Sequence, residues 1–285
     1  MKEKPFLTIG MATYDDFHGV YFSVMALRMY HAEVMDQVEI LIIDNNPEGR
    51  HGEQCKSFAG WCKNVRYVPN SNWVSTAVRN EIFSHAEGDF VMSMDCHVLF
   101  EPGSIKKLID FYKQNFQTKD LHQGPLVYDN LEGTSTHFDP IWRSQMYGIW
   151  ANDPRGADPN AEPFEIPMQG LGIFSCRKDA WLGFNPLFRG FGGEEGYIHE
   201  KFRQSGNKCL CLPFLRWAHR FARPEGVKYP LTLENKIRNY FLGHIELGLD
   251  VKPIFEHFLG PMDQNQLERL HELCEQEIEN QRNSQ

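Results

Sequence analysis

What this chain lacks narrows it before any motif is read. Its 285 residues contain no apolar run near the ~20 residues that a membrane-spanning helix requires. The one N-terminal apolar stretch, Phe6 to Ala12, is interrupted by Gly10 and followed by Asp15-Asp16, where a secretory leader would carry a small-residue cleavage site. Positive charge is in deficit. Twenty-nine Lys and Arg face 38 Asp and Glu, a formal charge of −9, which excludes general attraction to nucleic acid or an anionic membrane and leaves only local basic patches for either. The seven cysteines are an odd number and fall in segments that read as core or site, so reduced thiols in a cytoplasmic setting are expected. Cys209-Leu210-Cys211 suits alternation on a strand better than a metal pair. Repeats and low-complexity tracts are also missing.

What is present alternates between strand-like and helix-like segments, the pattern of an α/β sheet. Phe6 to Ala12, Val38 to Asp44, Val65 to Pro69 and Asp89 to Asp95 read as strands; Tyr21 to His31, Val74 to His85 and the segment opened by Pro102 read as helices. The order expected is β-α-β-β-α-β-α. Asp44 and Asp95 then sit at the carboxyl ends of strands, where open α/β sheets collect ligands. Residues 121–165 read as a loop-rich segment rich in Gly, Pro, Asp and aromatics, the kind that shapes a substrate site. Strand character returns at Met168 to Cys176 and Lys208 to Trp217. Glu234 to Leu247 and Gln264 to Gln281 have helical periodicity and suit packing on the catalytic unit or on another subunit, a homo-oligomer contact. The expected division is a catalytic domain over 1–230, with a nucleotide-binding half to about 120 and an acceptor half beyond it, and a helical extension over 231–285.

The chemistry centres on Asp95-Cys96-His97 at the end of an apolar strand. A carboxylate and an imidazole two residues apart in extended backbone point to one side, and mixed oxygen and nitrogen donors suit Mn²⁺ or Mg²⁺. A lone Asp-x-His equally fits a polar strand end. His219, in Leu215-Arg216-Trp217-Ala218-His219, offers a third ligand from far along the chain, although a single histidine there also suits a structural place. His199 follows Gly196 on a helix and reads as structural.

These residues, with Phe191-Gly192-Gly193-Glu194-Glu195 and the strand leading to His219, resemble the GT-A glycosyltransferases of the family 2 kind, and especially the polypeptide N-acetylgalactosaminyltransferases. The similarity covers roughly residues 5–222, with three separated motifs in order. It implies a GT-A, Rossmann-like mixed sheet flanked by helices with a C-terminal helical tail, a divalent metal, and a nucleotide-sugar donor, most simply UDP-linked. Asp95-Cys96-His97 is similar to the family's Asp-x-His motif and His219 to its metal-binding histidine. Thr13, Tyr14 and Asp15 look like the loop that contacts base and ribose, Asp44 like the acid that recognises the base, and Arg79 like a phosphate partner. Each of these positions also suits local hydrogen bonding at the end of an element.

By the same resemblance Glu195 takes the place of the base that deprotonates an acceptor hydroxyl in inverting members, with Glu194 orienting the acceptor. The pair is Glu-Glu here rather than Glu-Asp or Glu-Asn, and two acids also simply favour a helix N-terminus. Gln169 and Gly170 are expected to line the donor-sugar pocket or to belong to an ordinary core strand. Trp181, Phe184, Phe188 and Phe191 form an aromatic cluster that suits core. Arg220 and Arg223 are expected to neutralise phosphate.

Two other functions compete with sugar transfer. A sugar nucleotidyltransferase would carry a Gly-rich first loop followed by Arg and Lys, which is missing after Ile9. A non-catalytic nucleotide-sugar or glycan-binding protein would use Asp95, His97 and Glu195 only to bind. The acceptor has no readable code: a protein, a glycan, a lipid-linked sugar or a modified nucleobase all present a hydroxyl.

Overall fold

The structure, a computed structural model, describes residues 4–72, 75–222 and 226–284. The chain opens β1 (Leu7–Thr13), α1 (Phe17–Tyr30), β2 (Val38–Asp44), α2 (Gly52–Trp61), β3 (Val65–Pro69), α3 (Arg79–His85), β4 (Phe90–Asp95), β5 (Val98–Phe100) and α4 (Ser104–Gln114). It continues through β6 (Leu121–Gln123), β7 (Leu126–Val127), β8 (Thr134–Ser135), β9 (His137–Arg143), β10 (Met146–Ala151), β11 (Phe164–Glu165) and β12 (Ile173–Arg177). Last come α5 (Glu194–Gln204), β13 (Cys209–Cys211), β14 (Trp217–His219), α6 (Leu233–Leu247), α7 (Lys252–Phe258) and α8 (Gln264–Asn283).

One eight-stranded mixed sheet runs β11-β13-β6-β12-β4-β1-β2-β3, with β1 to β4 parallel and β12 antiparallel to β4. This is the α/β architecture expected. Its two faces follow from a side-chain period of two. Ile40 and Ile42 of β2 join Val20, Val24 and Leu27 of α1 on one face, while Leu41 and Ile43 join Ile82 and Phe83 of α3 on the other. Burial of each such aliphatic side chain contributes roughly 1.5–3 kcal/mol. Gly10 lets α3 approach β1, because a Cβ there would meet the Ile82 side chain at 2.1 Å. The C-terminal helices complete the second face: Phe241, Phe258, Leu267, Cys274 and Ile278 share one core with β2, β4 and β12.

Register brings the polar ends together. Thr13 pairs with Asp44, and Ala12 with Asp95, so the ends of β1, β2 and β4 form one edge. A second sheet, β5-β14-β7-β8, sets His219 opposite Val98 and therefore beside His97, although the two histidines are far apart in sequence.

Four expectations are corrected. Helix α2 stands between β2 and β3, so the opening order is β-α-β-α-β-α-β. The segment 121–165 is not mainly loop: it holds β6 to β11, including the hairpin β9–β10. The strand expected over Lys208 to Trp217 is two strands in two sheets, divided at Pro213, where Leu215 N donates to Leu212 O. The helix expected from Val74 begins as α3 only at Arg79, after a short 3-10 turn capped by Ser75, and Val74 itself lies outside the described residues.

Candidate active site

A cleft of about 300 Å³ opens at the carboxyl ends of β1, β2 and β4 and is lined by Thr13, Tyr14, Asp15, Arg79, Asp95, His97 and Arg220 among others. Seven of the expected site residues therefore meet around one space. Arg223 lies outside the described residues.

The metal corner is built where β4 ends and β14 returns. Asp95, His97 and His219 each offer one ligand atom, all within 4.8 Å of one another. His219 Nε2 lies 3.3 Å from Asp95 Oδ2, and its buried Nδ1 has no hydrogen-bond partner among the described residues. Burial works to raise the Asp95 carboxyl, but the His219 hydrogen bond and the Arg79 charge outweigh it and hold the group well below the usual carboxylate range. One oxygen and two imidazole nitrogens converging on an ionised acid fit a divalent ion such as Mn²⁺.

Arg79 connects this corner to the acidic helix. Its guanidinium donates to Thr76 Oγ1 at 2.5 Å and to Asp95 Oδ1 at 3.2 Å, lies 3.8 Å from Glu194 Oε1, and sits 5.9 Å from the Phe191 ring centroid. Glu194 is buried and accepts from Gly192 N at 2.5 Å, so it is spent on its own turn and on Arg79. Glu195, the next residue of α5, is partly buried, and burial together with the charge of Glu194 pushes its carboxyl up to about 8.

Other expected residues fall outside the cleft lining. Asp44 is 2% exposed, accepts from Asn46 N at 3.0 Å and from Tyr67 OH at 2.9 Å, and is pushed up by burial. Its neighbour Asn45 lines the cleft instead, with a carboxamide that finds no partner among the described residues. Gln169 is fully buried and donates to Gly124 O and Thr136 O, while Gly170 lies against Trp150 and Phe138, both ahead of β12 rather than on a strand. His199 is structural, as read. It is buried between Glu195 O and Gln123 Oε1, and burial takes it down to about 3. Trp181, Phe184 and Phe188 are core, whereas Phe191 lines the cleft with Tyr229 packed on it.

The sequence reading missed Asp16. It caps α1 by accepting from Gly19 N at 2.9 Å, and the same side chain meets His97 Nδ1 at 3.0 Å and Arg220 at 2.5 Å. Burial opposes its ionisation, but His97, the Gly19 amide and Arg220 together hold it low. An acid immediately before an apolar helix is an N-cap signal that was available in the sequence. His51 was also missed; its Nδ1 lies 2.8 Å from Asp15 O and steadies the left-handed Asp15, φ 51°.

No curated protein matches the chain. Among solved structures it is similar to the crystal structure of GalNAc-T7 with UDP, GalNAc and Mn²⁺, at 15% identity and a TM-score of 0.66. The match covers 95% of this chain but 55% of that one, so the chain spans about half the length of that relative and shares its GT-A fold. Among the described residues no helix is long and apolar enough to cross a membrane. Residues 9–181 match the model of glycosyl transferase family 2, and the chain belongs to that family.

Proposed function

We propose that this glycosyltransferase is metal-dependent, takes its sugar from a UDP-linked donor, and transfers a hexosyl or N-acetylhexosaminyl group to an acceptor hydroxyl with inversion. The observation that carries this reading is the convergence of His219 on Asp95 and His97, which line the cleft, joined through Arg79 to the helix that bears Glu194 and Glu195. The UDP and Mn²⁺ held by the GalNAc-T7 structure give the donor and metal classes their support.

Asp95, His97 and His219 would hold the ion, which when bound supplies positive charge to a departing diphosphate. Arg220 adds a cation on the same side of the cleft, and Arg79 fixes the Asp95 carboxylate. Thr13, Tyr14 and Asp15 form the wall for ribose and base. Asn45 supplies a carboxamide with unspent donor and acceptor capacity, the chemistry needed to read a base edge, and Asp44 supports it from behind with Tyr67. Glu195 accepts the proton of the acceptor hydroxyl on its carboxylate, and its raised affinity for a proton suits that role near neutral pH. Glu194 is a positioning residue that acts through Arg79 and the Gly192 amide. The seven unpaired cysteines, six of them buried, support a reducing, cytoplasmic place of work.

The test is release of nucleotide from a panel of UDP-, GDP-, CMP- and TDP-sugars with Mn²⁺, water serving as acceptor. Metal-dependent release from a UDP-sugar is expected. Tight binding of a nucleotide sugar with no release from any member of the panel would favour a binding protein instead.

A further inference from the structure

The turn that leads into Glu194 and Glu195 has one side-chain bond of its own, from Gly192 N to Glu194. Gly190, Gly192 and Gly193 have φ of 57°, 105° and 89°, all in the left-handed region, and α5 opens on Gly193 with no side-chain cap. A glycine turn of this kind gains little from its own side chains and needs an external brace. On one side the brace is the segment ahead of Arg79, where Thr76 N donates to Gly190 O at 3.0 Å. On the other side it is α6, in a stretch beyond the part of the chain that matches the family model; Lys236 and Tyr240 pack against the glycines, and one residue of the helix hydrogen-bonds the turn's backbone.

That residue is Asn239. It is 0% exposed, its Oδ1 accepts from Arg189 N, and its Nδ2 donates to Arg189 O and to Gly192 O, each at 2.9 Å. A carboxamide has two N–H donors and one carbonyl, so both donors and the acceptor are committed to one loop. Asparagine is a weak helix former, and burying its amide is costly unless every polar atom is satisfied. Its place between buried Arg238 and Tyr240 therefore runs against local preference, and what it gains is the turn. Contact is tight as well: a Cβ on Gly193 would stand 3.2 Å from Asn239 Cβ and from Tyr240 N.

We infer that Asn239 is a positioning residue for catalysis, fixing the Arg189–Gly193 turn from which the helix bearing Glu195 starts, and that the C-terminal helices are thereby part of the catalytic unit. The inference rests on the reading of Glu195 as the base. Glu195 and Asn239 make no direct bond; the effect passes through the Gly192 carbonyl and the first turn of α5. Misplacing a reacting group by an ångström costs on the order of 10²-fold in rate.

The experiment uses the full chain with UDP-N-acetylgalactosamine and Mn²⁺, or whichever UDP-, GDP-, CMP- or TDP-sugar the wild type consumes. Asn239→Asp is isosteric and keeps the acceptor for Arg189 N while removing both donors; Asn239→Ala removes all three bonds. Ile278→Ala, in the same core but on α8, controls for general loss of stability. Both Asn239 variants are expected to lose roughly 10²-fold in kcat, with donor KM and the nucleotide-induced rise in Tm within about 2-fold of wild type. Ile278→Ala is expected to lower Tm and leave kcat within about 2-fold. The Asp variant should also move the rising limb of kcat to higher pH, since it adds a negative charge beside the acids, a shift that lost stability alone does not cause. Unchanged kcat in a folded Asn239 variant, or a loss no larger than that of Ile278→Ala, overturns the proposal. Failure of both Asn239 variants to fold at low temperature overturns it too, because the amide would then hold the fold rather than the turn. If the wild type consumes no donor at all, the base reading of Glu195 fails first, and the wild-type assay distinguishes that result.

Discussion

At Asp95, on the cleft, burial works to raise a carboxyl and is outweighed by His219, Arg79 and His97; at Glu195, in the first turn of α5, burial acts together with the charge of Glu194, and the carboxyl rises to about 8. Arg79 links the two neighbourhoods, 3.2 Å from Asp95 and 3.8 Å from Glu194, the residue before Glu195. Burial alone therefore does not decide what an acid does here. Neighbours set the sign: an acid ringed by cations and imidazoles is fit to hold a metal, and one paired with another acid is fit to hold a proton.

The sharpest way to separate the two acids is Glu195→Gln. Transfer should fall by roughly 10²–10⁴-fold, the range for loss of a general base, while Mn²⁺-dependent nucleotide binding stays near wild type. Steady-state kinetics alongside a binding titration checks this. Full activity would remove Glu195 from the base role.

The second effect is on pH dependence. Because the Glu195 carboxyl is raised from 4.5 to about 8 on folding, the native state binds more protons than the unfolded chain between those values. Its contribution to stability is therefore greatest below about 4.5 and is lost as pH rises to about 8, with a slope of at most about 1.4 kcal/mol per pH unit. Urea unfolding across this window should show that decline in the wild type and a flatter curve in Glu195→Gln. Activity should rise over the same range as the base ionises. A wild-type stability curve identical to that of the variant would contradict the raised value.

The smallest of the three concerns Arg220, which is paired with Asp16 beside the metal corner and is exposed. Arg220→Ala should weaken nucleotide affinity about 10-fold, within the span of a charge-assisted hydrogen bond, and leave the pH limb of kcat in place. Isothermal titration with UDP and Mn²⁺ measures it, and unchanged affinity would take Arg220 out of the phosphate site.

Legibility in the sequence follows the same physics. Val38 to Asp44 and Val65 to Pro69 are bounded as read, because a compact apolar run ending at Asn or Pro leaves little choice. Gly52–Trp61 was invisible as a helix: it opens on Gly, carries Gly60 near its end, and has no clear apolar stripe before tertiary contacts cover Cys55 and Phe58. The hairpin β9–β10 was hidden by Pro140 and Gly148, which weaken a strand signal. In the site, Asp95, His97 and His219 were legible as a set only through the resemblance to the family, since a lone Asp-x-His and a lone histidine each also suit a structural place. Asn239 was not legible, since its value lies in a buried contact between α6 and a turn some 50 residues earlier, for which a lone Asn in a helix gives no local sign.

The most direct single measurement is thermal unfolding with UDP, GDP, CMP and TDP, each with and without Mn²⁺, in the wild type and in Asp95→Ala. A ligand that binds only the native state raises its stability. A rise in Tm is expected for UDP that requires Mn²⁺ and disappears in Asp95→Ala. A rise that is independent of metal, or that survives loss of Asp95, would contradict the metal corner and with it the division of labour between the two acids.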